Sequence, residues 1–546
     1  MRSEVTWPSI PAMVREAGRA FGAREAVVDA VGRTGRRRLT YTQLAEFVRE
    51  GARGLIAAGV EPGDRVAIWA PNSLDFVVAA LAITSTGGVM VPVNTRFKGA
   101  EAAYILSRSG AKVLFTTRGF LGTDYPALLA ESGTPLPELA RIVLLLGDAA
   151  PETPECTRDE FVASGAHVTD AELDARVDAL GPADPADIFF TSGTTGAPKG
   201  VVMAHGQVLR AYLDWCDWAD LRPGDRYLAA NPFFHIFGYK AGILASMMRG
   251  ATLFPIAVFD PAAALELVER ERITMFPGPP TVYQMLLDHP DRATRDISSV
   301  RVAVTGGADI PVELIRRMRD ELPFERILSG YGLTEAGTLT GSTPHDDFEH
   351  IATTVGVVWP GFEVRTVDEA GATVAAGEAG EVVVRGDTVM RGNNVMRGYF
   401  DDPEATAAAF DADGFLHTGD LGVFDDDGYL RIVGRIKDMF LVGGFNAYPA
   451  EIENLLLRHP AIAQVAVIGI PDARLGEVGM AFVVPAPGAS PAELTEAALI
   501  AWARDEMANF KVPRRVAFVD ALPLNATGKV VKDDLRALAH ENGATA

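Results

Sequence analysis

The apolar positions of this chain change period several times, and the changes divide it into sections. Leu44, Phe47, Val48, Leu55 and Ile56 recur at near-helical spacing behind Thr42, which can cap that helix. Gly59 and Pro62-Gly63-Asp64 then form a turn, and Arg65 to Trp69 reads as a strand. A second helix precedes the strand-like Val89 to Val93, and a third precedes Val113-Leu114-Phe115. The longest apolar stretch, Phe76 to Val93, is interrupted by Thr84, Ser85, Thr86, Gly87, Gly88 and Pro92. A buried helix, a turn and a strand are expected there, not a membrane span. Such alternation predicts a parallel sheet covered on both faces. From Gly147 to Pro185 the chain is acidic and proline-bearing, so mostly surface connection is expected. The rhythm resumes with the strand end Ile188-Phe189-Phe190, a helix from Val208 to Trp218 and a strand from Arg226 to Ala230, and runs on to Thr305.

Beyond Val355 the pattern shortens. Val364, Val367, Val382-Val383-Val384 and Leu430 to Val433 are short strand candidates between Gly and Asp turns, which predicts a small β subdomain. After Gly434 to Asp438 the remainder reads helix (Ala450 to Arg458), strand (Gln464 to Ile470), strand (Met480 to Val484), helix (Pro491 to Met507), strand (Arg515 to Val519), loop and helix. That is the size of a small domain. The expected division is a large domain over 1–433, a connector over 434–437 and a second domain over 438–546. The fold class is α/β with an α+β C-terminal domain.

Composition changes this picture little. A chain of 546 residues exceeds one core, so three or four units are expected. Lys+Arg 50 against Asp+Glu 72 gives a net charge of −22, which disfavours nucleic acid and anionic membrane surfaces as main partners. Cys156 and Cys216 form neither a metal spacing nor a disulfide framework, so a reducing compartment fits. The start, MRSEVTWPSIPAMVREAG, lacks an unbroken apolar stretch. No secretory signal is expected, and a cytoplasmic location is.

The candidate chemistry begins at TSGTTGAPKG, Thr191 to Gly200, which follows the strand end at Phe190. Its glycines let backbone N–H groups approach oxygens closely, its hydroxyls donate and Lys199 supplies charge, so the stretch suits phosphate. It is not the common P-loop, because Lys199 is followed by Gly200. The alternative is a surface loop of turn formers. Val304-Thr305-Gly306-Gly307-Ala308 ends a strand in glycines, where ligands sit in open α/β sheets. Ser329 to Glu335 combines two glycines, an aromatic and an acid, or is simply a Gly-rich turn with a capping pair. His417-Thr418-Gly419-Asp420 offers a carboxylate to ribose hydroxyls or forms an Asx-type turn. Leu524 to Lys529 puts a lysine on a glycine-bearing loop, which by itself reads as solvated.

Taken together and in order, TSGTTGAPKG, NPFFHIFGYK, TGGA, GYGLTE, LHTGD, GRIKDMFLVGGFNAYPAEIE and NATGK resemble the adenylate-forming superfamily of acyl-CoA synthetases, luciferases and peptide-synthetase adenylation domains. The resemblance runs from Leu39 to Lys529. It implies two α/β sheets and a β subdomain in the large domain, with ATP between it and a mobile C-terminal domain. It further implies that Thr191, Ser192, Gly193, Thr194, Thr195 and Lys199 hold the β- and γ-phosphates. Gly307, Ala308 and Tyr331 would enclose adenine, with Gly330 and Gly332 also at the nucleotide, and Thr334 would reach the α-phosphate. Glu335, with Thr191, would hold Mg2+. Asp420 and Arg435 would bind the ribose, and Lys529 would bridge the substrate carboxylate and α-phosphate. Lys437 would be the hinge, Gly443-Gly444-Phe445 would line the pantetheine tunnel of coenzyme A, and His235 would gate it.

The implied reaction is ATP-dependent acyl-CoA ligation, with ATP, Mg2+ and coenzyme A. In the amino-acid-activating members of that superfamily an aspartate in the stretch matching NPFFHIFGYKAG pairs with the substrate ammonium. None of Asn231 to Gly242 is acidic, so the resemblance disfavours an amino acid, and Phe233, Phe234, Phe237, Tyr239 and Met247 divide between acyl pocket and core. Lys240 is expected to snorkel to solvent, with a polar substrate group as the other candidate partner. FFHIFGYKAGIL and FPGPPTVYQMLLDHP resemble bacterial ligases that activate a ring-bearing propanoate in steroid breakdown. Medium- or long-chain fatty acids are the competing substrates. An acyl-AMP ligase that loads a carrier protein and a catalytically dead nucleotide sensor are the competing classes. The first is disfavoured because no insertion fits between Asp420 and Lys437, the second because Glu335 and Lys529 are present. A homodimer is possible.

Overall fold

A computed structural model describes residues 3–29, 37–150, 153–191, 198–307, 310–386, 394–443, 445–472, 474–489, 494–525 and 529–541. Their strands form four sheets. One of nine strands runs, in order, Val357–Val358, Gly337–Gly341, Arg326–Leu333, Val302–Gly306, Met275–Gly278, Arg226–Ala229, Thr252–Pro255, Glu25–Asp29 and Arg37–Thr40. A second of nine is centred on Pro185–Thr191, Val89–Pro92, Arg65–Trp69 and Val113–Phe120, joined in parallel. The β subdomain is a four-stranded antiparallel sheet, Phe362–Val367, Gly380–Gly386, Leu416–Phe424 and Leu430–Arg435. The small C-terminal domain carries a five-stranded sheet built on Ile462–Asp472 and Gly476–Pro485. No described helix is long and apolar enough to cross a membrane.

The helix–turn–strand expectation for Phe76 to Val93 is met by helix Leu74–Ser85, apolar nearly all round and buried, followed by Val89–Pro92. Two local expectations need correction. The helix Tyr41–Ala57 is capped by Thr40, not Thr42, in a capping box with Gln43, two orphan donors being met reciprocally. The stretch expected to be mostly connection folds instead into Glu155–Thr157, Arg158–Ser164 and Asp170–Ala179. Phe161 anchors it: a Cβ on Gly54 would lie 2.7 Å from its ring, so the small residue lets this helix approach Tyr41–Ala57.

The third correction concerns Lys240, which does not reach solvent. It sits in a π-helix, Phe237–Leu244, that follows a strand of the first sheet, and its Nζ lies 2.8 Å from Oδ1 of Asp187 on a strand of the second. The two side chains are 2% and 0% exposed. Burial drives the Asp187 carboxyl up and the Lys240 ammonium down, and each partner's charge opposes the other's shift. Phe189, on the same strand face as Asp187, places its ring centroid 5.0 Å from Nζ. Asn72 ties the layers a second time: its amide donates to the Ala229 and Asn231 carbonyls, and its Oδ1 accepts the Phe233 N–H at 2.7 Å. Lys240→Met alone strands a buried carboxylate and is expected to cost about 3–5 kcal/mol, while adding Asp187→Leu should recover most of it. Urea unfolding midpoints of the single and double variants decide the matter; additive losses would mean the pair is not coupled.

Candidate active site

The strand Arg326–Leu333 lies parallel to Val302–Gly306, with Gly306 opposite Gly330, and then doubles back into Gly337–Gly341. A Cβ at Gly332 would come within 2.2 Å of the Gly337 carbonyl oxygen, so the tight return demands glycine there. Tyr331, between the two glycines, donates its hydroxyl to Asp420 Oδ2 at 2.6 Å. Burial first, and the Asp420 charge second, keep that phenol well above its ordinary pKa, so it remains a neutral donor. Arg435 faces Asp420 across the antiparallel pair Leu416–Phe424 and Leu430–Arg435, with Nε 3.0 Å from Oδ1. The turn that presents Asp420 is pinned from behind. Gly419 has φ 71° and donates to Glu381, and Thr418 Oγ1 donates to the Val382 carbonyl and accepts the Asp420 N–H.

Thr334 and Glu335 occupy the return turn. The Glu335 carbonyl accepts the Met396 N–H at 2.6 Å, and its carboxylate accepts the Tyr399 hydroxyl at 3.3 Å. Burial raises the Glu335 carboxyl, its own backbone N–H and Tyr399 opposing. Lys199 Nζ stands 5.0 Å from the Tyr399 ring centroid, so one aromatic residue joins the acid to the cation. Thr191 and Lys199 face each other in register where the two strands open.

His235 precedes the π-helix. Its Nδ1 accepts the Phe237 N–H at 3.2 Å, which leaves Nε2 to carry the proton of the neutral ring. The half-buried imidazole is pushed down to about 4, by burial first and by the Lys529 ammonium second. Lys529 comes from the small domain. Its loop is clasped by Asn525, whose N–H and Oδ1 both meet Lys529 backbone groups, and Arg96 of the large domain donates to the Asn525 carbonyl at 3.0 Å. A Cβ at Gly238 would lie 2.1 Å from the Pro232 carbonyl oxygen, the close approach that folds His235 into place.

The structure thus brings together Tyr331, Asp420 and Arg435; Glu335 and Lys199; and His235 and Lys529. Gly307, in the left-handed region at φ 77°, directly follows the neighbouring strand's end at Gly306. Gly443 and Phe445 lie on an exposed hairpin of the small domain, with Phe445 stacked on Phe510 at 5.2 Å, and Lys437 is exposed in the turn after Arg435. Ser192, Gly193, Thr194, Thr195, Ala308 and Gly444 fall outside the described residues. Sequence reading missed Tyr399, Arg96 and Asp187. Only Asp187 carried a signal, an acid inside the apolar run before Thr191 that a buried strand cannot leave unpaired.

Two large sheets, a β subdomain and a small domain whose lysine loop reaches back over them make the architecture of the adenylate-forming enzymes. A solved anthranilate CoA ligase with bound anthranoyl-AMP superposes with a TM-score of 0.84 at 27% identity, over 99% of each chain. The chain belongs to the AMP-binding enzymes: that family matches residues 14–400, and its C-terminal domain matches 451–529. Among curated proteins it is 52% identical to a 3-[(3aS,4S,7aS)-7a-methyl-1,5-dioxo-octahydro-1H-inden-4-yl]propanoyl:CoA ligase of Mycobacterium tuberculosis, over 92% of this chain and 94% of that one. A ligase of the same name from Rhodococcus jostii is 48% identical over 96% and 98%. The chain is an acid–thiol ligase that uses ATP and coenzyme A.

Asp420→Ala removes an acceptor held by two donors and is expected to lower kcat/KM for ATP about 10- to 100-fold. Pyrophosphate release against ATP concentration measures it; an unchanged value would take Asp420 out of the nucleotide site.

Proposed function

We propose that this enzyme activates a ring-bearing propanoate of steroid origin, as its acyl-adenylate and then as its CoA thioester. The observation that carries the substrate is the near full-length identity, 52% and 48%, to two ligases named for a bicyclic dione propanoate. A straight-chain fatty acid is the competing substrate.

In the first step a carboxylate attacks an already anionic α-phosphate, two like charges about 4 Å apart repelling by roughly 4 kcal/mol at an effective dielectric of 20. Lys529, brought against His235, offsets that repulsion where the carboxylate and the α-phosphate meet. Thr334, beside Glu335, donates to the α-phosphate, and Lys199 meets the leaving pyrophosphate. Asp420 accepts from the ribose while Tyr331 and Arg435 hold it in place. The Glu335 carboxylate, half-buried with one side-chain hydrogen bond at 3.3 Å, suits a hard cation that keeps water and phosphate as its other ligands. Mg2+ there, with Thr191 near, would supply charge neutralisation. Neutral His235 can flank the anhydride without adding a charge. In the second step a thiol attacks the activated anhydride, for which Lys529 is not needed.

A hinge follows from that division, and 434–437 suits it. The β subdomain's last strand ends at Arg435, the small domain's first begins at Phe440, and Lys437 is exposed between them. Rotation there would free the Arg96–Asn525 contact and bring Gly443-Gly444-Phe445 to the thiol's path.

Lys529→Ala is expected to slow adenylation by about two to three decades and leave thioester formation from supplied acyl-adenylate within a few-fold. Equal loss of both half-reactions would refute the role. For the substrate, pyrophosphate release across bicyclic dione, aromatic and straight-chain acids, with and without CoA, should give the highest CoA-dependent kcat/KM for the bicyclic acid. Preference for a straight chain would overturn that choice.

A further inference from the structure

The acid and the cation proposed for the phosphate end come from different sheets and share one neighbour, Tyr399. It lies in a two-residue strand, Gly398–Tyr399, antiparallel to Lys199–Ala204, with Tyr399 opposite Val201. Alternation along the longer strand turns Lys199 and Val201 to one face, and the residue opposite Val201 points to that same face. Lys199 is then a diagonal neighbour of Tyr399, and its Nζ rests 5.0 Å from the ring centroid. The backbone leaves this short strand little freedom. Arg397 donates its N–H to the Val202 carbonyl, and Phe400 donates to that of Gly200 at 2.6 Å. The Tyr399 N–H goes to Thr406 Oγ1 at 2.9 Å. Gly398, at φ 144°, makes room for that threonine: a Cβ there would lie 2.8 Å from its methyl carbon.

The same segment is also fastened to the first sheet. Met396 donates its N–H to the Glu335 carbonyl at 2.6 Å, and the Tyr399 hydroxyl donates to Glu335 Oε1 at 3.3 Å. Half-buried Tyr399 therefore touches two opposite charges, and among the described residues no ion pair joins them. A direct Lys199–Glu335 pair would disable both groups: the ammonium would be neutralised before phosphate arrived, and the carboxylate oxygens would be occupied before a metal ion did. The ring face holds the ammonium through its quadrupole without neutralising it. One O–H on Oε1 orients the carboxylate and leaves lone pairs on both oxygens.

We propose that Tyr399 is a positioning residue that keeps Lys199 and Glu335 apart, its hydroxyl holding the carboxylate ready for a divalent cation and its ring holding the ammonium ready for the phosphates. This rests on the placement of Mg2+ at Glu335 and of the leaving pyrophosphate at Lys199 above. The two contributions come from different parts of one side chain, so removing the hydroxyl and removing the ring have different effects.

The test measures ATP dissociation constants by calorimetry, with excess EDTA and with saturating Mg2+, and so does not depend on turnover. The ratio of the two constants reports how far the metal ion tightens binding. Tyr399→Phe keeps the ring and should cut that ratio about three- to tenfold, with metal-free binding weakened by less than about twofold. Tyr399→Leu loses both contributions and should also weaken metal-free binding, by about 3- to 30-fold. A merely structural role would weaken both constants in parallel in both variants, and that result overturns the proposal. So does a ratio unchanged by Tyr399→Phe, or metal-free binding unchanged by Tyr399→Leu. Glu335→Gln and Lys199→Met check the reading beneath it: the first should collapse the ratio, and the second should weaken metal-free binding. If they do not, the placement of Mg2+ and pyrophosphate fails. If they do while the Tyr399 variants keep wild-type values, only the role of Tyr399 is lost.

Discussion

A charge buried between two sheets cannot be left alone, and much of this molecule's geometry follows from that constraint. Asp187 and Lys240 come from different layers, each with almost no access to water, and each is tolerable only because the other is 2.8 Å away. The contact fixes how the π-helix sits on the strand that ends at Thr191. It therefore sets His235 at one end of that helix relative to Thr191 and Lys199 at the end of the strand. Asn72 repeats the tie with hydrogen bonds to the segment just before His235. The phosphate side and the acyl side are thus positioned by one set of contacts, and a shift in either layer would misplace both.

The small domain is held in a different manner. Its docking at the lysine loop uses Arg96 and a backbone carbonyl in an exposed setting, the kind of contact that contributes little and breaks readily. Its own sheet and core are self-contained, with Phe440, Val467, Ala481 and Val483 buried among themselves. In the proposed reaction, a large body and a second body joined through a short connector suit two successive reactions that need different groups at the same carbon.

Much of the fold was legible because periodicity reports burial. Val89 to Val93, Val208 to Trp218 and the strands of the β subdomain stood out as apolar runs between glycine turns, and they form close to where expected. The stretch from Gly147 to Pro185 hides its helices because they are short and acidic, and only scattered residues, Phe161, Val168, Leu173 and Val177, commit them to the core. Lys240 was misread for a deeper reason. A lysine on an apolar helix snorkels unless an acid is buried opposite, and that acid lay more than fifty residues away on another sheet. The residues around Asp420 already offer a ribose acceptor, while Arg435 and Tyr331 gain their roles from the motif resemblance. Their hydrogen-bonded arrangement depends on strands brought side by side, which no local pattern encodes.

The chain's net charge of −22 makes nucleotide binding a local problem of concentrating cations. The cations proposed for it come from three bodies: Lys199 from the second sheet, Arg435 from the β subdomain and Lys529 from the small domain. Arg435 is already engaged by Asp420, the acceptor proposed for the ribose. Lys199 stands over Tyr399 at the strand opening, the side proposed for the leaving group. In the proposed reaction Lys529 meets the charge that develops where the carboxylate joins phosphorus, and it does so while the small domain is docked. In the proposed reaction the electrostatic complement is therefore complete for adenylation alone, and undocking removes the one cation that the thiol step has no use for.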